Sequence, residues 1–526
     1  MANSAMNSHT ITETSRVLPT SQTESPISVP LSIFDATCTR FSPTRCIWLF
    51  DHHSDTPEQK TLCSRLRTSF ISTPDEFPQW AVQLQWSSLN ANGNHTERFH
   101  RINIVYGSPQ DPGVEWKTAY HPSHSSKDFA PLASERASRT TWRGDGFVQS
   151  ELLSNTALAA LHDMKSYKGL PAMTVQITLF RDGGYAVGVK LAHPLGDAQA
   201  LMVFVQRWAA KSRCLHGDTE SPSLMPPPVF NPQLLDSHAS GDIDGSANDP
   251  RLAAIARELP LHRYNCWESD APGYLPAFLS TLESSMPPKS FLDTVELSPA
   301  DTAPWTTWDV SRSVDYVQMH FTGAALDKLR SPALSNHHES PRLSRLDLLL
   351  AHVWSAINRA RGMAERPDDV FLDFTLGARS RVRPPLPHSW IGSPLFLTNI
   401  KRSGSAACED SVASLASAIR NTIRLFTPEK VGAMLHDAAY EAAPDRLWQC
   451  FPGKRHVIVT SWLRLDVDLV DFEGMGMRPR YVHAVMPKVD GLLQVFDSAV
   501  DDGGMDIALY LDSEAMEKLL AVLCED

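Results

Sequence analysis

Residues 173–208 carry the pattern that most restricts the fold: two strand-like runs, a tight turn and a helix follow one another without a break. In Met173-Thr-Val-Gln-Ile-Thr-Leu-Phe180 apolar and polar residues alternate, which is the signature of a half-buried strand. Arg181-Asp-Gly-Gly184 supplies the turn chemistry of a hairpin. The returning run places Tyr185, Val187, Val189, Leu191 and His193 on a single strand face, directed to the interior. Beyond Asp197, the residues Leu201, Phe204, Val205 and Trp208 recur at helical spacing and predict a helix packed on that sheet. A hairpin feeding a helix in this way predicts a mixed α/β layer.

His193 stands where the strand stops, and Asp197 follows four residues later where the helix begins. An imidazole in that position titrates near neutral pH and can move a proton in a site sheltered from bulk water. The segment alone also fits a packed core histidine with Asp197 as a helix cap. His-x-x-x-Asp occurs here three times, at His124/Asp128, His193/Asp197 and His238/Asp242. Only the His193 copy has a strand before it and a helix after it.

A chain of 526 residues exceeds one ordinary core, so two domains are expected. Residues 1–27, rich in Ser and Thr, read as a disordered tail. They lack the apolar core of a secretory leader. Residues 28–216 form the first domain, 217–310 a crossover rich in Pro, Ser, Gly and Asp, and 311–526 the second domain. Strands are predicted at Cys46–Phe50, Val317–Thr322, Val370–Thr375, Val457–Trp462, Tyr481–Val485, Leu492–Phe496 and Ile507–Leu511. Helices are predicted at Gln59–Phe70, Ala324–Arg330, Leu346–Arg361 and Ser513–Leu523.

A net charge of -12 argues against a nucleic acid as partner. No apolar run reaches the roughly eighteen residues of a membrane span. The eight cysteines show no Cys-x-x-Cys spacing, so neither a disulfide framework nor a zinc cluster is expected. Cytoplasmic placement is the expectation. No Gly-x-Ser-x-Gly elbow, Walker loop or His-Glu-x-x-His is present. Asp466, Asp468 and Asp471 read as a solvated acidic face, not a metal site.

Three further segments bear on His193. They are Leu350-Ala-His-Val-Trp-Ser-Ala-Ile-Asn-Arg-Ala-Arg361, then Leu376-Gly-Ala-Arg-Ser-Arg-Val-Arg-Pro-Pro-Leu-Pro387 with Ile391-Gly392, and Val459-Thr-Ser-Trp-Leu-Arg-Leu465 leading to Asp471-Phe-Glu-Gly-Met-Gly-Met-Arg-Pro479. Together with the His193 motif, the opening Pro-Leu-Ser-Ile-Phe-Asp35 and the closing Asp502-Gly-Gly-Met-Asp506, this ordered set resembles the BAHD acyltransferases. Fungal members similar to trichothecene 3-O-acetyltransferase are nearest in style. The resemblance runs in order over nearly the whole chain.

It implies an α/β fold of two chloramphenicol-acetyltransferase-like domains joined by a long crossover, with the site in a channel between them. It implies an acyl-CoA co-substrate, acetyl-CoA by the fungal likeness, no bound cofactor or metal, and a monomer. The acceptor implied is a hydroxyl of a small, hydrophobic secondary metabolite. His193 is then the general base, and Asp197 a structural partner of an arginine, Arg379 first and Arg381 second. Thr460, Ser461 and Trp462 are candidates for lining the site or binding the oxyanion.

The loop Asp471, Phe472, Gly474, Gly476 departs from the family's Asp-Phe-Gly-Trp-Gly: Glu473 and Met477 are extra and the tryptophan is missing. Ala192 replaces a histidine and is expected on the strand face away from the interior. Gly392-Ser393 stands where members often read Gly-Asn. An amine acceptor, a carrier-protein thioester as in condensation-type enzymes, and a non-catalytic binding protein on the same fold are the alternatives.

Overall fold

The computed structural model describes residues 9–20, 23, 25–51, 58–90, 93–158, 169–215, 226–276, 286–334, 342–474 and 476–525. The strands of its two large sheets, in chain order, are β1 (Thr10–Val17), β2 (Thr44–Phe50), β3 (Val114–His121), β4 (Thr141–Arg143), β5 (Met173–Phe180), β6 (Tyr185–Leu191) and β7 (Val314–Phe321). They continue with β8 (Asp369–Gly377), β9 (Leu395–Ser403), β10 (His456–Ser461), β11 (Tyr481–Ala484), β12 (Leu492–Asp497) and β13 (Met505–Asp512). The first sheet has the order β1-β3-β5-β6-β2-β11 and the second β9-β8-β10-β12-β13-β7-β4. Both mix parallel and antiparallel pairs. The β5–β6 hairpin closes with Leu179 opposite Tyr185 and Met173 opposite Leu191.

Each half lends a strand to the other. β4 lies in the first half yet pairs with β7 in the second sheet, Gln318 opposite Trp142. β11 lies in the second half yet pairs with β2 in the first sheet, His483 opposite Ile47. The expected boundaries 28–216 and 311–526 therefore do not enclose self-sufficient sheets. Hydrogen-bond ladders cross between the halves, so their relative position is set by backbone pairing as well as by side chains.

The tail expectation is corrected too. Residues 10–17 are strand β1, an antiparallel edge of the first sheet. Ser and Thr content suggests disorder, but the β-branched Thr10, Ile11, Thr12 and Thr14 suit an edge strand, where main-chain bonding asks little of the side chains. Residues 1–8, 21, 22 and 24 lie outside the described residues. So do 216–225 and 277–285 of the crossover. The rest of the crossover is ordered by specific bonds to both halves: Ile33 N donates to Asp236, and Asn399 N to the carbonyl of Pro260.

Neither face of β6 is exposed. Tyr185, Val187, Val189 and Leu191 join the central core, and Ala186 packs with Ile47, Leu49 and Phe180 on the reverse face. Ala192 is also fully buried, contrary to its expected outward position. A central strand in a covered sheet has no solvent face for it to occupy.

In the second sheet, Leu493, Val495, Ile507 and Leu509 pack on the helix Arg345–Ala360. That helix opens with a capping box between Ser344 and Asp347. The alternate residues Leu492, Phe496, Ala508 and Tyr510 face the first half. Strands β3 and β9 and the helices Val412–Leu425 and Pro428–Ala439 are not among the elements expected from the sequence.

Candidate active site

A cavity of about 1000 Å³ opens between the two halves, and His193 lies on its wall. The strand ends at Leu191, so His193 does not continue its face. It starts a single 3₁₀ turn, His193–Leu195, with Pro194 inside. Leaving the pleat is what turns the imidazole from the packed core toward the cavity. The ring of Phe41 meets it edge-on at 5.2 Å.

Asp197 points elsewhere. Its Oδ1 accepts from the main-chain N of Ala200 at the start of the helix Ala198–Leu215, so it is a helix cap. The same carboxylate receives a fork from Arg379, Nη1 to Oδ2 at 2.5 Å and Nη2 to Oδ1 at 2.9 Å. Both side chains are nearly enclosed, with 9% and 5% of their surface exposed, so the pair is buried as well as bidentate. Arg379 also donates to the carbonyls of Trp390 and Gly392. Arg381 does not reach Asp197: it donates to the carbonyl of Gly377 and lines the cavity.

The turn that Arg379 grips comes back to the histidine. Gly392 has φ +148°, and a Cβ there would stand 2.5 Å from the Trp390 ring and 2.9 Å from an Asp35 carboxylate oxygen. Only glycine allows that turn so close a packing. Its carbonyl accepts from Asp197 N, and the next residue, Ser393, meets His193 Nδ1 at 3.2 Å. Ser393 is fully buried, and in the sequence it stands out only as a departure from Gly-Asn.

Burial pulls the pKa of His193 down to about 4, against the opposing attraction of Asp197 and a bond from the ring to its own main-chain carbonyl. The ring is therefore neutral at pH 7 and can accept a proton. A rate that depends on neutral His193 should hold constant as the pH falls through 6.5, with its acidic limb near pH 4 in kcat/KM. Stability follows the same depression. Above about 6.5 the residue is neutral folded and unfolded; below it the unfolded chain protonates first, and the folded state loses stability as pH falls toward 4. An acidic limb at 6.5 in the pH–rate profile would contradict this environment.

Thr460, Ser461 and Trp462 all line the cavity. Thr460 Oγ1 is buried and has no hydrogen-bond partner among the described residues. Ser461 is exposed, and Trp462 is buried against Phe496. Gln494, in register with Thr460 on the neighbouring strand, lines the same wall and has no sequence signal beyond its strand.

The glycine loop stands apart. Asp471 Oδ1 accepts from the N–H groups of Glu473 and Gly474, and Oδ2 from that of Gly476. Gly474 and Gly476 take φ of +86° and +67°. Phe472 packs on Trp208 and Phe50 in the first half's core. None of these four residues is on the cavity wall. Glu473 is fully buried beside Tyr185, so the extra residue extends the core contact. Asp468 is not freely solvated either, since burial raises its pKa and Arg478 stands 3.7 Å away.

Charge on the cavity wall runs against the charge of the chain. Seven arginines line it with three aspartates, although the chain as a whole carries -12. Arg40, Arg345, Arg379 and Arg420 are each ion-paired with an aspartate, and Arg45, Arg381 and Arg464 carry the surplus. The wall is thus a local positive field within an acidic protein. A buried trio, His262, Asp373 and His456, lies elsewhere: His456 Nδ1 is hydrogen-bonded to one oxygen of Asp373 at 2.8 Å, and His262 Nε2 lies 2.9 Å from the other.

The model of the Transferase family matches residues 150–258 and 279–521. An acyltransferase of Alternaria alternata, AFT15-1, is 25% identical over 97% of this chain and 96% of its own. Among solved structures, F. graminearum TRI101 complexed with coenzyme A and deoxynivalenol superposes with a TM-score of 0.64 at 14% identity, over 94% of this chain and 97% of that one. Vinorine synthase superposes with a TM-score of 0.60 at 17% identity, over 98% of both chains. No helix among the described residues is long and apolar enough to cross a membrane.

Proposed function

The chain belongs to the Transferase family, that of the BAHD acyltransferases, and from this we propose that it moves an acyl group from acyl-CoA to a hydroxyl of a small secondary metabolite, with His193 as general base. The observation that carries the reading is a neutral, half-buried imidazole on the wall of a cavity large enough for two substrates. The arginine surplus around that cavity suits a co-substrate bearing several phosphates, as coenzyme A does, and TRI101 is a structural neighbour with coenzyme A bound. The deoxynivalenol bound by TRI101 makes a small metabolite the first acceptor class to test, and the sequence resemblance makes acetyl the first acyl group.

In this mechanism the acceptor hydroxyl gives its proton to His193 as its oxygen attacks the thioester carbonyl. The tetrahedral intermediate carries a negative oxygen, and Thr460 is the candidate to donate to it. Collapse breaks the carbon–sulfur bond, and the proton on His193 goes to the departing thiolate. No acyl-enzyme is required, because the thioester is already activated and the two substrates need only be held together. Asp197 and Arg379 take no proton; they hold the turn behind His193.

The test offers the purified chain a panel of acyl-CoAs with candidate alcohols and amines, following thiol release and product mass. Thiol release coupled to an acylated alcohol supports the proposal. Turnover confined to carrier-protein thioesters, or no acceptor-dependent release with any acyl-CoA, would sink it.

A further inference from the structure

We propose that the Ser393 hydroxyl is a positioning group that fixes the tautomer of His193, holding the proton on Nδ1 so that Nε2 is the basic nitrogen. The inference rests on the reading of His193 as general base and adds a residue from the opposite half of the chain to its control. Ser393 Oγ has one proton, and its geometry directs that proton to the main-chain carbonyl of His193. The same oxygen lies 3.2 Å from His193 Nδ1. With its proton spent, Oγ can only accept there, so Nδ1 must be the donor. A neutral imidazole that donates through Nδ1 has its lone pair on Nε2.

The hydroxyl is itself held in place. Ser393 N donates to Asp35, whose other carboxylate oxygen accepts from Ser32 N and Oγ. Gly392 O accepts from Asp197 N and from Arg379, so the turn is pinned on both sides of the Gly392–Ser393 peptide. Asp197 thus reaches His193 by two routes: a through-space attraction, and a chain of contacts through Arg379, Gly392 and Ser393. The contact chain bears on which nitrogen is protonated, together with a bond from the His193 ring to its own main-chain carbonyl, whereas the attraction alone does not specify that choice. The titratable and charged groups around this turn are Asp35, Cys38, Asp197 and Arg379.

Ser393→Ala removes both bonds and leaves the Asp197–Arg379 pair intact. The expected result is a fall in kcat of about tenfold, with KM for each substrate within about twofold of wild type. Ser393→Thr keeps the hydroxyl and should recover kcat to within about threefold. Should Ser393→Ala not fold, Ser393→Cys, with a thiol as a weak acceptor, serves the same comparison. Nitrogen-15 spectra of histidine-labelled full-length protein, with His193 assigned by its loss in His193→Ala, read the tautomer without any substrate. The proton is expected on Nδ1 in the wild type and redistributed toward Nε2 in Ser393→Ala. Wild-type protein with its proton on Nε2, or a Ser393→Ala protein with unchanged kcat and tautomer, overturns the proposal. An Nδ1 proton in a chain that transfers no acyl group overturns the functional reading instead, and the two failures are thereby separated.

Discussion

Purified His193→Ala is expected to lose acyl transfer by about 10²–10⁴-fold in kcat, the range that general base catalysis supplies. KM for acyl-CoA should change little, because the substitution leaves the arginine-lined wall in place. The residual rate comes from holding two substrates together. Folding should survive, since His193 lies on the cavity wall with its side chain outside the two main cores. His193→Gln is the sharper variant: its amide can fill much of the ring's place and still cannot accept the proton at neutral pH. A His193→Ala protein that consumes acyl-CoA with acceptor as fast as wild type would falsify the mechanism.

Arg379→Ala should be the most costly single change for stability near the site. It leaves Asp197 enclosed with its charge uncompensated, at a cost of about 3–5 kcal/mol. Arg379→Lys should recover only part of this, because an ammonium cannot fork to both carboxylate oxygens while also serving the carbonyls of Trp390 and Gly392. Arg381→Ala, which loses one bond to the carbonyl of Gly377, should cost about 1 kcal/mol. Urea unfolding of the three variants measures the ranking directly. Equal midpoints for Arg379→Ala and Arg381→Ala would show that the buried fork does not anchor the fold. Activity of Arg379→Ala should fall beyond its loss of stability, since the turn bearing Ser393 loses its grip.

Legibility along the chain follows the locality of the forces. The β5–β6 hairpin and the helices at Gln59–Ile71 and Arg345–Ala360 are readable because turn chemistry, alternation and 3.6-residue spacing operate within a few residues. β1 escapes such a reading because an edge strand needs main-chain partners more than apolar content, and its partner is about a hundred residues away. The orientation of His193 differs from expectation because the alternation does not carry past Leu191, where the chain enters a 3₁₀ turn. Ser393 stands out in the sequence only as a departure from Gly-Asn, with no sign of its role, since a serine gains one here only by lying 3.2 Å from an imidazole 200 positions earlier.

Residue order was enough for the α/β class, the family likeness, and the types of group at the site: an imidazole, a carboxylate and two arginines to choose from. These follow from local periodicity and from ordered motifs. Three matters waited on the folded chain: that Arg379 and not Arg381 meets Asp197, that each half completes the other's sheet, and that Ser393 stands behind His193. The physical reason is common to all three. A bidentate ion pair, a strand ladder and a tautomer-setting hydrogen bond act over about 3 Å between residues far apart in the chain, so only packing brings them together.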